Sequence, residues 1–224
     1  SGPAQIVHDV PVVGFTGDKF YRPMWFSDEM YEFTGAVLAI DPSGRGKDET
    51  AYAVVKMLNG YLYASQCGGF KGGYDDLTLQ KLANLAKIEK VSMIVVESNF
   101  GDGMFSKLLA PFIAKTYPVS IEEVRHNTQK EVRIIDTLEP VMMQHRLIID
   151  EKLIKEDYDS APEPSYSLFY QMTRLTKDRG AIVHDDRLEA LSMAVNYWTE
   201  QMDTDAESMA AQMKLEAFNG EIQR

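Results

Sequence analysis

Apolar residues first gather into an unbroken run at Val37–Leu38–Ala39–Ile40, which stops at Asp41. A run without polar alternation is the pattern of a strand buried on both faces, here carrying a carboxylate at its end. Gly44–Arg45–Gly46–Lys47 then reads as a glycine-rich turn leading to a second strand, Ala51–Leu58. Asn59–Gly60 is a two-residue link of the hairpin type, and it predicts a third, antiparallel strand over Tyr61–Gln66. The period then changes. Leu77, Leu79, Leu82, Leu85 and Ala86 fall on one helical face, with Asp75 or Asp76 as cap, so a helix is expected up to about Ile88. Val91–Glu97 is another buried strand that ends on an acid, read as parallel. Helix Met104–Lys115, strand Pro118–Val124, helix Gln129–His145 capped by Thr128, and a short edge element Leu147–Asp150 follow. Pro111 and Pro140 are expected to bend or interrupt their helices. Lys152–Tyr170 has no clear period, and Ala161–Ser165 is not expected to be regular. His184–Tyr197 reads as a closing helix with Leu188, Leu191, Ala194 and Val195 inward. The layout is mixed α/β. Residues 1–33 read as an irregular lead-in, with their aromatics packed on the main domain over 34–202, and 203–224 as a polar tail or helix. Trp25 and Trp198 are expected in the core.

Composition narrows the function. The 224 residues are 45% hydrophobic and 25% charged, enough for one sizeable core. Net charge is −11, from 34 acidic and 23 basic residues, so any polyanion must be met by a local basic patch, metal ions or a partner. A single cysteine, Cys67, excludes an intrachain disulfide and fits a reducing compartment. No apolar run reaches the length of a membrane span, and no signal segment opens the chain. The opening Ser1–Gly2–Pro3 reads as a cloning remnant, which would make the chain a piece of something longer.

The candidate chemistry is a set of carboxylates at element ends: Asp41, Glu97 and the cluster Asp185–Asp186–Arg187–Leu188–Glu189. On a helix, Glu189 shares a face with Asp186 three residues away and with Asp185 four away. Asp185 and Asp186 point differently. With Leu188 and Leu191 marking the core side, Asp186 is the expected direct ligand and Asp185 or Glu189 a partial or supporting one. Converging carboxylates in a low-dielectric pocket need cations to neutralise them. Hard oxygen donors suit Mg²⁺ or Mn²⁺ rather than zinc, and two such ions can bracket a phosphodiester. Any one of these acids alone is equally a cap or a solvated edge; the case is that three fall at element ends.

Four segments carry a family resemblance: Ile40–Asp48, Val95–Gly103, Lys130–Ile134 with Leu138–Pro140, and His184–Leu191. Over roughly residues 34–200 the chain resembles the nuclease domain of bacteriophage large terminases, most closely those of T7-like phages. The resemblance implies a ribonuclease-H-like sheet, related to the RuvC resolvase, with its first three strands antiparallel and later ones parallel. It also implies metal-dependent endonuclease cutting of concatemeric double-stranded DNA during packaging, in the cytoplasm of an infected host. It places the catalytic, metal-holding acids on Asp41, Glu97 and within Asp185/Asp186. The resolvase pattern acid-x-x-Asp-Ala falls on Asp186 and Glu189–Ala190, with Glu in place of Asp. Implied partners are an ATPase domain, a small terminase subunit and a portal protein.

Arg45, Lys47, Lys130 and Arg133 are candidate DNA contacts; the last two, three apart on one helix face near Arg125 and His126, are read either as meeting DNA phosphates or as holding the acidic centre, against a solvated helix face. Gly44–Lys47 followed by Asp48 lacks the spacing of a phosphate-binding loop, which also disfavours an actin-like ATPase half. The remaining alternatives are a structure-specific resolvase or ribonuclease of the same fold, and a non-catalytic module that docks on a portal.

Overall fold

The computed structural model of the chain describes residues 4–11, 18–43, 49–98 and 103–222. Strands β1 (Ala4–Val7) and β2 (Phe20–Pro23) pair antiparallel in a small sheet of their own, so the lead-in is more regular than expected. Phe20 meets the Phe169 ring edge-on at 4.9 Å, and Phe33 meets Tyr63 at 5.1 Å. Trp25 is 76% exposed, against the expectation of a core residue. Its neighbours Met24 and Phe26 are exposed as well, so this segment has no apolar surface to close over it.

The main sheet has six strands in the order β7-β6-β3-β4-β5-β8. They are β3 (Gly35–Asp41), β4 (Thr50–Leu58), β5 (Tyr61–Phe70), β6 (Met93–Glu97), β7 (Ile121–Val124) and β8 (Leu147–Ile149). β3, β4 and β5 run antiparallel, while β6 joins β3, β7 joins β6 and β8 joins β5 in parallel. β3 is central and covered on both faces, which is why it is apolar at every position from Ala36 to Ile40.

Helices α1 (Asp76–Ile88) and α2 (Met104–Thr116) pack on one face, over Leu38, Ile40, Ile94 and Val96. Asp75 caps α1 by accepting from the Thr78 N–H at 2.9 Å. On the other face lie α3 (Lys130–Met143), α4 (Glu151–Ser160), a 3-10 turn at Pro164–Tyr166, α5 (Leu168–Arg174) and α6 (Asp186–Ile222). α2 and α3 continue through Pro111 and Pro140 without ending there. The stretch without clear period thus holds two helices, each started by a cap. Asp150 accepts from the Lys152 N–H, and Ser167 from the Tyr170 N–H.

α6 takes in both the expected closing helix and the polar C-terminal segment. Its first three turns, Leu188 to Trp198, lie mostly buried across β3, β4 and β5. A register irregularity between Val54 and Val55 accompanies the Val55 carbonyl accepting from the Trp198 indole N–H at 2.9 Å. Gly35 leaves room for the Trp198 ring: a Cβ there would come within 2.9 Å of it. This docking fixes how α6 is rotated over the sheet, and so which residues of its first turn face inward. No helix among the described residues is long and apolar enough to cross a membrane.

Candidate active site

Parity along the strands delivers the first two carboxylates. Val37 and Ala39 belong to the α6-side core, while Leu38 and Ile40 belong to the opposite one. Side chains alternate faces along a strand, so Asp41 falls on the α6 side. In β6, Val95 lies on the α6 side and Ile94 and Val96 on the other, so Glu97 also faces α6. β3 and β6 are in register up to Ile40 opposite Val96, and Asp41 and Glu97 are the next rung.

The third contribution comes from the start of α6. The Asp185 carbonyl accepts the Glu189 N–H at 2.8 Å, so these two stand one turn apart. Glu189 is fully buried at 0% exposure, and Asp41 is 6% exposed.

α3 supplies the compensating charge. The Lys130 ammonium lies 2.7 Å from Asp185 Oδ1, 3.5 Å from Glu189 Oε2 and 3.7 Å from Asp41 Oδ2. The Arg133 guanidinium bonds Glu189 Oε1 closely and sits 4.0 Å from Glu97 Oε1. Glu189 therefore bridges two cationic centres. The expected i, i+3 pair on α3 does share a face, and that face is turned into the carboxylates. Arg45 and Lys47 lie outside the described residues. Asp186 occupies the same helical turn, but the ion pairs described at Lys130 and Arg133 are made by Asp41, Glu97, Asp185 and Glu189.

The electrostatics follow from burial. Loss of water pushes the Asp41 carboxyl well above its ordinary range; Lys130 opposes this, and Glu97, which hydrogen-bonds to it, and Glu189 add to it. Burial likewise raises Glu189, against the pull of Lys130 and Arg133. Burial works against the charge on Lys130, but Asp41, Glu189 and Asp185 outweigh it and hold the ammonium above its usual value.

The donors fit a hard divalent cation. Glu189 Oε2 is buried and accepts no hydrogen bond. One ligand atom each from Glu97, His126 and Glu189 all lie within 4.8 Å of one another. Burial, then the charge of Arg133, lowers the His126 pKa.

A second polar network lies on the far side of α6's first turn and went unread in the sequence. Arg187 is 0% exposed. Its fork donates to Glu49 (Nε–Oε2 3.0 Å, Nη2–Oε1 3.3 Å), to Asp157 Oδ1 at 2.9 Å and to Ser160 Oγ at 3.1 Å. Asp157 also accepts from the Leu168 and Phe169 N–H groups at the start of α5. The Glu49 carboxylate lies over Gly69, where any side chain would strike it. Glu49 directly precedes β4 and Arg187 stands between Asp185 and Glu189 in the chain, so the pair ties together two of the site's segments. His184 is buried with its ring stacked on Tyr166, centroids 3.8 Å apart.

The comparisons with known proteins point the same way. The family described as "Terminase Bacteriophage T7, Ribonuclease H-like domain" matches residues 40–147. The large terminase subunit of Enterobacteria phage T3 is 46% identical over 216 residues, covering 94% of this chain. The chain spans only 37% of that relative. Among solved structures, the human cytomegalovirus terminase nuclease domain, Mn-soaked and inhibitor-bound, superposes with a TM-score of 0.55 at 12% identity, over 73% of this chain and 82% of that one. The nuclease domain of the large terminase subunit of bacterial virus Sf6 gives 0.53 at 11% identity, over 74% and 89%. The fold is thus ribonuclease-H-like, and the sequence kinship with the T3 protein is far stronger than these distant structural likenesses require. The chain belongs to the large terminase family of T7-type bacteriophages and carries that subunit's ribonuclease-H-like domain.

Proposed function

We propose that this domain is a metal-dependent endonuclease that hydrolyses double-stranded DNA with little sequence readout, cutting concatemeric viral DNA during genome packaging. The observation that carries the reading is the convergence of Asp41, Glu97, Asp185 and Glu189, from two strands and a helix, on two cationic side chains. So many acids in a buried site are tolerable only with cations among them. Asp41, Glu97, Asp185 and Glu189 are the residues that would hold Mg²⁺ or Mn²⁺, with Asp186 on the same turn of α6. The cytomegalovirus relative was soaked with manganese, which supports that choice.

Bound divalent ions supply Lewis acidity toward a phosphodiester and make water a competent nucleophile near neutral pH. The chain's own part is placement. Strand ends hold Asp41 and Glu97 rigidly, and Arg187 fixes the turn that bears Asp185 and Glu189. Lys130 and Arg133 hold the acids together, and where divalent ions took over that charge balance both side chains would be available to phosphate oxygens. Arg45 and Lys47, within the glycine-rich Gly44–Lys47 sequence, are proposed to touch the DNA backbone. Two ions are the stoichiometry proposed, and Asp41, Glu97, Asp185 and Glu189 would hold them. The further partners are an ATPase domain, a small terminase subunit and a portal, in the host cytoplasm.

The test is nicking and linearisation of plasmid DNA at low salt, since net charge −11 makes the isolated domain a weak binder. Cleavage is expected with Mg²⁺ or Mn²⁺ and is abolished by EDTA. Competition with four-way junctions and RNA–DNA hybrids should leave linear duplex cutting dominant. Cutting that survives chelation, or is confined to junctions or hybrids, would overturn the reading.

A further inference from the structure

We infer that His126 is itself a metal ligand, forming with Glu97 and Glu189 a mixed nitrogen–oxygen subsite that favours Mn²⁺ over Mg²⁺. This rests on the metal-centre reading above and specifies which ion that centre selects.

The placement is built by the sheet. β7 pairs with β6 so that Val124 lies opposite Glu97, and the Ser98 N–H continues the ladder to the Val124 carbonyl at 3.0 Å. The chain leaving β7 therefore runs beside the end of β6. His126, two residues past Val124, is half-buried there. Its imidazole nitrogen and one oxygen each of Glu97 and Glu189 fall within 4.8 Å of one another, close enough to share one ion. Glu189 is fully buried; its Oε1 is bonded to Arg133 on this side, while its Oε2 faces Lys130. A cleft of about 450 Å³ borders this side of the site, with His126 and Arg133 in its lining.

The two sides of Glu189 differ in donor chemistry. Around Lys130 the donors are the oxygens of Asp41, Asp185 and Glu189. Around Arg133 an imidazole joins Glu97 and Glu189. Mg²⁺ prefers oxygen and keeps its waters, whereas imidazole suits transition ions. Discrimination between the ions therefore belongs to the His126 side. Arg133, bonded to Glu189, is the group an ion must displace there.

Pulsed EPR on the Mn²⁺-loaded wild-type domain tests this without any variant. Nitrogen modulation on the manganese signal is expected, and it should disappear in His126→Gln. Calorimetric titration of His126→Gln with each ion should show Mn²⁺ binding weakened by about tenfold or more, with Mg²⁺ binding changed by less than about twofold. Glu97→Gln is the control and should weaken both ions. If Glu97→Gln weakens both while His126→Gln leaves the Mn²⁺-to-Mg²⁺ ratio unchanged, or if nitrogen modulation is absent, the His126 assignment is wrong and the metal centre stands. If Glu97→Gln weakens neither ion, the metal centre itself is misplaced and this inference falls with it.

Discussion

Asp41→Ala, and separately Glu97→Gln, should lower metal-dependent DNA cleavage by about a thousandfold or more, equivalent to ~4 kcal/mol of transition-state stabilisation. Both side chains sit on rigid strand ends, side by side on the α6 face of the sheet, and no other carboxylate on those strands can replace them. Thermal unfolding separates this from misfolding. Removing one of several crowded buried acids relieves repulsion, so the variants should melt no lower than the wild type without metal. The wild type should gain stability on adding Mn²⁺, by about 2.7 kcal/mol at a hundredfold excess over Kd, and the variants should gain far less. A variant that keeps both cleavage and the Mn²⁺ shift would contradict the assignment of that residue.

Arg187→Met should cost about 3–5 kcal/mol of folding stability, because Glu49 and Asp157 would be left charged and buried with no cation between them. The loss is read as a lower urea midpoint at unchanged slope. Glu49→Gln added to Arg187→Met should recover part of it, since the uncompensated charge goes with it. Arg187→Lys should fall short of wild type as well: an ammonium cannot reproduce the fork that reaches the Glu49 carboxylate twice and the Asp157 carboxylate once. An Arg187→Met domain as stable as wild type would show that the buried network is not what holds the first turn of α6.

What could be read from the sequence was what local pattern dictates. Val37–Ile40 announces a strand buried on both faces, and Asn59–Gly60 announces its hairpin neighbours. That Asp41 and Glu97 share one side of the sheet follows from strand parity only once the two cores and the β3–β6 register are known. The choice among Asp185, Asp186 and Glu189 was not local. They share one helical turn, and the rotation of that turn is set by distant contacts: Trp198 on the Val55 carbonyl, and Arg187 on Glu49 and Asp157. Glu189, expected as a partial ligand, is fully buried and bridges Lys130 and Arg133. Asp185, rather than Asp186, makes the ion pair to Lys130.

Arg187 itself carried a signal that pattern reading passes over. A cation between Asp186 and Leu188, on a helix whose neighbouring positions are apolar, must find buried anions. Its partners are 138 and 30 residues away, and nothing in the spacing names them. α4 and α5 were hidden for a related reason: their buried face includes Asp157 and Gln171, polar residues satisfied by backbone groups, so the apolar period is broken. Trp25 is the opposite case, an aromatic that pattern assigns to a core and the fold leaves in solvent.

The central claim is that Asp41, Glu97, Asp185 and Glu189 form one site for divalent cations. Anomalous diffraction from a crystal soaked in Mn²⁺ tests it most directly. The expected result is manganese density bounded by these four side chains, with Lys130 or Arg133 displaced from its present partners. Manganese bound elsewhere, with Lys130 and Arg133 still paired to the acids, would contradict it.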